Sequence, residues 1–419
     1  MKKQVDRIFA VLYFLLGYGF IYTFSSAAFE RNLAFFTLAY TGTVLFCLYA
    51  NRRKPSRESW FWLLITLAIG IPYACWSVMY IFQAAALIAV AAYWTLCASG
   101  RLLEEQKTSR WVMFDEWNAL AVIPFSNFFC QIRNLFANEE DEEKKGKAGA
   151  ALLGIVLTIP VLVVILPLLS SADAGFEALL GNAAAFLEKH LFSLFLRIVF
   201  AVPVSFYLYG LIYGGITGKN ADRISLQNLQ KHEKSIKRIP GVTTDIVLGV
   251  MCLFYLLFIG IQATYLFSVF AGKIPENFTY AEYARRGFFE LCGIGTWNLL
   301  ILWAAEAFSQ EEAAKKKLFS TLKILLCVVT LLLIATAVGK LGMYINVYGM
   351  TVNRIIPMVF LLWMAFVFFC VILRQKTSFP LVRRCVMAGA VCFCLLCVFP
   401  VERWAEVYNC FARMHGLIV

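Results

Sequence analysis

Residues 355–373 read IIPMVFLLWMAFVFFCVIL, nineteen residues without a charge. At 1.5 Å per residue they make a helix of about 28 Å, the thickness of a bilayer's hydrocarbon core. A helix on a soluble domain would show a polar face every turn, and this stretch has none. Working outward, ten more apolar runs recur at 8–24, 33–50, 59–77, 80–99, 149–170, 192–215, 244–267, 287–307, 318–338 and 382–400. The pattern predicts an all-α fold, a polytopic helical bundle of about eleven transmembrane helices. The third and fourth runs form one apolar block, divided near Ser77 because forty residues of helix would overshoot a bilayer.

Composition agrees: 61% of residues are apolar and 15% charged, with a mean hydropathy of +0.73. The first run follows Lys2, Lys3 and Arg7 and reads as a retained first helix rather than a cleaved signal peptide. We expect residues 1–419 to form a single membrane domain. Its parts are a four-helix stretch at 1–110, a cytoplasmic amphipathic segment and charged linker at 111–148, and a seven-helix stretch at 149–419.

Lys and Arg in short loops stay on the cytoplasmic side. With the N-terminus inside, the inner segments hold 27 of them and the outer segments 9, which places the C-terminus outside. The net charge of +12 then sits where anionic inner-leaflet lipid meets it, so the bilayer, and not nucleic acid, is the expected partner.

Most of the thirteen cysteines fall inside spans, without the paired spacing of a metal site or disulfide framework. Cys392, Cys394 and Cys397 read as small apolar packing residues and Cys410 as a free thiol. Gly210 and Gly214 form a GxxxG, a weak hint of helix association. Gln262 and Asn298, the main polar residues in mid-span, read as interhelical hydrogen-bonding groups.

Two connections have helical periodicity. Between the fourth and fifth spans, Phe114, Trp117, Ala121, Phe125, Phe128, Ile132 and Leu135 share one face, and Asp115, Glu116, Asn118, Asn127, Gln131 and Arg133 the other. This predicts a helix along the inner membrane surface, bent at Pro124. On the outer side, 172–191 repeats the pattern more weakly, as an interfacial helix. Arg197 follows, placed to snorkel outward, to pair with Asp173 or Glu188, or to contact substrate.

The densest outer polarity is YAEYARRGFFEL at 280–291, where Glu282, Arg286 and Glu290 are four residues apart and can form a charge ladder on one helix face. Tyr283 and Arg285 accompany it. A second outer connection, KLGMYINVYGMTVNRI at 340–355, carries Tyr344, Tyr348, Asn353 and Arg354 around Gly349, which permits a turn or broken helix. The tail adds Tyr408 and Asn409. These eleven side chains form the candidate substrate-binding set, with Arg197 secondary.

YAEYARRGFFEL, YINVYGMTVNRI and the pair Tyr408 and Asn409 resemble the bacterial polytopic membrane family catalogued as domain of unknown function 4173, with a related group numbered 4153. The resemblance covers the last 250 to 300 residues. It implies a multi-pass protein of the bacterial cell membrane without an established activity. The family pattern carries an acid where this chain has Arg286 and an arginine where it has Lys340.

No catalytic residue, cofactor or metal is implied. His190, His232 and His415 are not intramembrane histidines of the O-acyltransferase kind, and no HExxH or Walker-type loop occurs. Three functions remain. The favoured one is a transporter- or flippase-like protein handling an anionic or lipid-linked envelope compound at an outward polar site. The alternatives are a membrane scaffold or sensor with a membrane-protein partner, and an outer-leaflet membrane transferase.

Overall fold

The computed structural model describes every residue except 1, 27–28, 72–79, 105, 136–157, 159–164, 166–173, 268–287, 311–316 and 417–419. Among the described residues the chain is helical, and the only bridge of β type is an isolated parallel pairing of Ile239 with Ser309. Two compact units divide it: Met1–Lys107 with Trp111–Ile224, and Thr108–Arg110 with Ser225–Val419.

The first unit contains α1 (Lys2–Ser25), α2 (Phe29–Ala50), α3 (Ser59–Gly70) and α4 (Tyr80–Ala98). Three short helices follow, α5 (Val112–Trp117), α6 (Ile123–Ser126) and α7 (Cys130–Leu135), with a π-helical turn at Asn118–Val122 joining the first two. The long α8 (Ala174–Thr217) completes it. The second unit holds α9 (Leu226–Ile236), α10 (Gly241–Phe267), α11 (Phe288–Phe308), α12 (Lys317–Tyr348), α13 (Val352–Arg374), α14 (Leu381–Val398) and α15 (Val401–Met414).

Nine of the described helices (α1, α2, α4, α8 and α10 to α14) are long and apolar enough to cross a membrane. Each coincides with one of the eleven expected spans. The other two expected spans, 59–77 and 149–170, lie partly and almost wholly outside the described residues, so the count shown is nine. Two expected boundaries change. The interfacial helix at 172–191 is no separate element: from Ala174 it runs unbroken into the sixth span as α8. The ninth span does not stop at Val338 but continues as helix to Tyr348. Tyr344 and Tyr348 therefore stand on its last turns rather than in a loop.

In the first unit α1 lies against α8 at backbone contact. A Cβ on Gly17 would stand 2.6 Å from the Ala201 carbonyl oxygen and 2.8 Å from the Ser205 amide nitrogen, an approach only glycine allows. Arg53 and Arg101 donate at 3.1 Å to the Ile216 and Gly215 carbonyls, satisfying the C-terminal oxygens of α8 where its dipole is negative.

In the second unit α12 is the central helix, packed by α10, α11 and α13. Its buried residues recur at three- and four-residue steps and include Lys323, Thr330, Thr336 and Lys340. Asn298 of α11 accepts from the Tyr255 hydroxyl of α10 and donates to Thr330 of α12, both at 2.8 Å. This is the interhelical role expected of it. Cys394 and Cys397 are buried free thiols and Cys410 is an exposed one, also as expected.

Gly17→Ala pushes a methyl into backbone that cannot yield, and should cost about 1–3 kcal/mol. Gly249→Ala, with nothing within 4 Å of its Cβ position, should be neutral or stabilising by up to about 1 kcal/mol. Thermal midpoints of the two variants in detergent check the contrast.

Candidate functional site

Gly349 ends α12 with φ +81°, the left-handed turn its missing side chain permits. Three residues later α13 begins. Arg354, in its first turn, donates to the Gly349 carbonyl and lays its guanidinium 4.0 Å from the centroid of the Tyr344 ring, a cation–π contact. Tyr348 lies one turn along from Tyr344, its ring tilted 59° to it with centroids 5.1 Å apart. Asn409 of α15 completes the turn: its amide accepts from the Met350 N–H at 2.6 Å and donates to the Met350 carbonyl at 2.8 Å. Both polar ends of that amide serve the fold.

Five predicted site residues thus meet at one end of the second unit: Tyr344, Tyr348, Arg354, Asn409 and its neighbour in sequence Tyr408, which like Tyr344 and Met350 packs against the core. Asn353 is exposed in the same helical turn as Arg354. Among the described residues no carboxylate pairs with Arg354. Glu290, exposed in the first turn of α11, is close enough for its charge to act on buried Lys340. Glu282, Tyr283, Arg285 and Arg286 lie outside the described residues. Arg197 belongs to the first unit, where its guanidinium stands 5.2 Å from the Tyr22 ring of α1.

A second polar cluster, which periodicity located but oriented wrongly, lies in the first unit. Four of the six polar residues on the face of the 111–135 segment expected to meet water are turned into the protein: Asp115, Asn118, Asn127 and Gln131 are at most 5% exposed, whereas Glu116 is half-buried and Arg133 exposed. Met113, Trp117, Phe125 and Phe129 are instead more than 60% exposed. Against lipid the logic of a soluble amphipathic helix would invert, because lipid supplies no hydrogen bonds and protein does. Gln131 donates to the Ala10 carbonyl at 2.7 Å and accepts from Ser205 at 2.8 Å. Asn127 donates to the Lys219 carbonyl at 2.9 Å.

A π-helical turn at Asn118–Val122, just before Pro124, and a turn at residues 127–129 interrupt the segment. Pro124 lacks the N–H that would bond the Leu120 carbonyl, and the Tyr207 hydroxyl donates there instead at 2.8 Å. The GxxxG glycines receive this segment: a Cβ on Gly210 would meet the Pro124 carbonyl at 2.6 Å, and one on Gly214 the Ile123 side chain at 2.4 Å. Their association is internal to the chain.

Burial pushes the Asp115 carboxyl up from 3.8 to about 7, the Leu103 N–H opposing and the Glu104 charge adding. Burial, then the Asp115 charge, raises Glu116 from 4.5 to about 8.

α15 is the element sequence reasoning missed. Val401, Ala405 and Ala412 are buried while Trp404, Val407, Phe411 and Met414 are exposed. That apolar stripe at three- and four-residue spacing was the available signal of an interfacial helix.

The helices and their inverted polarity define a multi-pass, all-helical membrane protein. Residues 10–412 match the family described as Domain of unknown function (DUF4153), and the chain belongs to that family. It is the second of the two groups it resembled, and this match does not show a link to the group numbered 4173. No curated protein and no solved structure matches it.

Asn409→Ala strips two hydrogen bonds from the Met350 backbone and should cost about 1–3 kcal/mol, with faster hydrogen exchange at Met350. For the acids, the folded state holds protons that the unfolded chain releases. Stability is therefore full near pH 4, falls as pH rises to about 7 for Asp115 and about 8 for Glu116, and is level above. Asp115→Asn keeps the acceptor for Leu103 and should flatten that fall in the thermal midpoint between pH 5 and 8; an unchanged profile contradicts the assignment.

Proposed function

We propose that the chain is a transporter- or flippase-like protein of the bacterial cell membrane that handles an anionic or lipid-linked envelope compound at the Gly349 end of the second unit. The positive-inside count puts that end on the outer face. The observation that supports the reading is Arg354, a permanent cation without a carboxylate partner among the described residues, held by the Tyr344 ring and the Gly349 carbonyl. One of its five N–H donors is used in that contact, and the planar fork left over suits two oxygens of a phosphate or carboxylate.

The surroundings fit such a headgroup. Tyr348, its ring 5.1 Å from that of Tyr344, and Asn353, the residue before Arg354, are exposed and offer a hydroxyl and an amide. Lys340 and Glu290 lie at the same end of the unit. The broken helix at Gly349 is the kind of element transporters use to present backbone and side-chain donors together. Glu282, Tyr283, Arg285 and Arg286 join the proposed set from the adjoining connection.

Short-chain phosphatidic acid, titrated against detergent-solubilised protein, tests the reading. Arg354→Gln should weaken binding about tenfold or more, the scale of a lost charge-assisted pair, while the ligand-free protein loses only the Gly349 hydrogen bond and the Tyr344 contact, about 1–2 kcal/mol, and stays folded. Arg354→Lys should recover part of the affinity. Equal binding by wild type and Arg354→Gln contradicts an anion site here.

A further inference from the structure

The first unit holds a partly open cavity of about 450 Å³, and it stands apart from the reading just given. Helices α1, α2, α4 and α8 wall it, and Phe125 and Phe128 of the short segment close one side. Ala84, Ala91 and Ala92 make room along α4. Its surface is carbon almost throughout; the two hydroxyls on its wall are those of Tyr40 and Tyr207. Tyr40 is hydrogen-bonded to Thr95 at 2.7 Å and Tyr207 donates to the Leu120 carbonyl at 2.8 Å. A buried water needs two to four polar partners, and this wall offers only two hydroxyls, both already hydrogen-bonded.

We infer that the cavity is a binding site for one acyl chain of a bilayer phospholipid. All four walling helices are membrane-competent, so a bilayer offers hydrocarbon to the partly open space. Left empty, the aromatic and aliphatic wall would forfeit its dispersion contacts on one side. The volume is three times that of the dry ~150 Å³ cavity that holds benzene, and equals about fifteen water-sized groups at ~30 Å³ each. That is the bulk of one acyl chain and only part of a polyprenyl chain. A partner helix about 10 Å across fills roughly 420 Å³ per 5.4 Å turn, so the space would take little more than a single turn of one.

The seated chain touches Phe125 and Phe128, so it also fastens the 111–135 segment to the bundle. Its headgroup would remain outside the cavity, where nothing on the wall recognises it. Selectivity here is therefore for chain length and saturation rather than for charge.

The test uses the full-length protein in nanodiscs doped with a phosphatidylcholine carrying a diazirine on one acyl chain, photolysed and mapped by mass spectrometry. Adducts on the Tyr207 and Phe36 walls should saturate as the probe fraction rises. Adducts on Phe254 and Leu257, exposed on α10, should grow linearly. Ala91→Phe, which fills the cavity, should cut the wall adducts at least fivefold and leave the α10 adducts unchanged; Val204→Phe repeats the experiment from another wall if the first variant does not fold. Wall adducts absent from wild type, unsaturable, or unaffected in a folded variant overturn the assignment. So does displacement of the probe by a polyprenyl phosphate at lower concentration than by phosphatidylcholine.

Discussion

Hydrocarbon cannot accept or donate a hydrogen bond, and that one constraint arranges both units of this protein. Every polar side chain within the membrane-competent helices must find its partner in the protein or at the end of a helix. The Tyr255–Asn298–Thr330 chain joins three helices of the second unit in this way. In the first unit Gln131 bridges the Ala10 carbonyl and Ser205. Apolar side chains are released from the core by the same constraint, because lipid is as good a surrounding for them as protein. That is why large rings such as Trp117 and Phe129 stand exposed at no cost.

With hydrophobicity no longer drawing helices together, close contact takes over. Gly17 brings α1 onto α8, and Gly210 and Gly214 admit the short helix at Pro124. These contacts position what chemistry the chain has. The Gly349 turn, fastened by Asn409 and Arg354, sets a guanidinium on a tyrosine face at the end of the central helix. The short helices of the first unit close a carbon-walled space among four membrane-competent helices.

Much of this was legible in the sequence, for identifiable reasons. Length and absence of charge locate a span without any knowledge of its neighbours, so nine helices stand where apolar runs were read. Asn298 was legible because an amide in mid-membrane has few alternatives to an interhelical bond, and Gly349 because a left-handed turn favours its residue type. The orientation of the 111–135 segment was not legible. Periodicity divides Asp115 from Trp117, yet it does not say which face meets protein; that depended on Gly210 and Gly214, nearly a hundred residues away. The end of α12 was misread because tyrosine and asparagine look like loop, whereas Tyr344 packs on the core as helix. Of the candidate site, its Gly349 end was legible as composition, but the dual use of Asn409 as a backbone clamp was visible only in three dimensions.

The central claim is that polar faces turn inward and apolar faces meet lipid, and the 111–135 segment exposes it most directly. Nitroxide labels at Met113, Trp117, Asn118 and Asn127 in reconstituted bilayers, with collision rates for oxygen and for a water-soluble nickel chelate, measure which surroundings each position has. The account predicts oxygen-rich, nickel-poor values at Met113 and Trp117, and protection from both reagents at Asn118 and Asn127. Nickel reaching Asn118 and Asn127 more readily than oxygen would contradict it, placing that face in water.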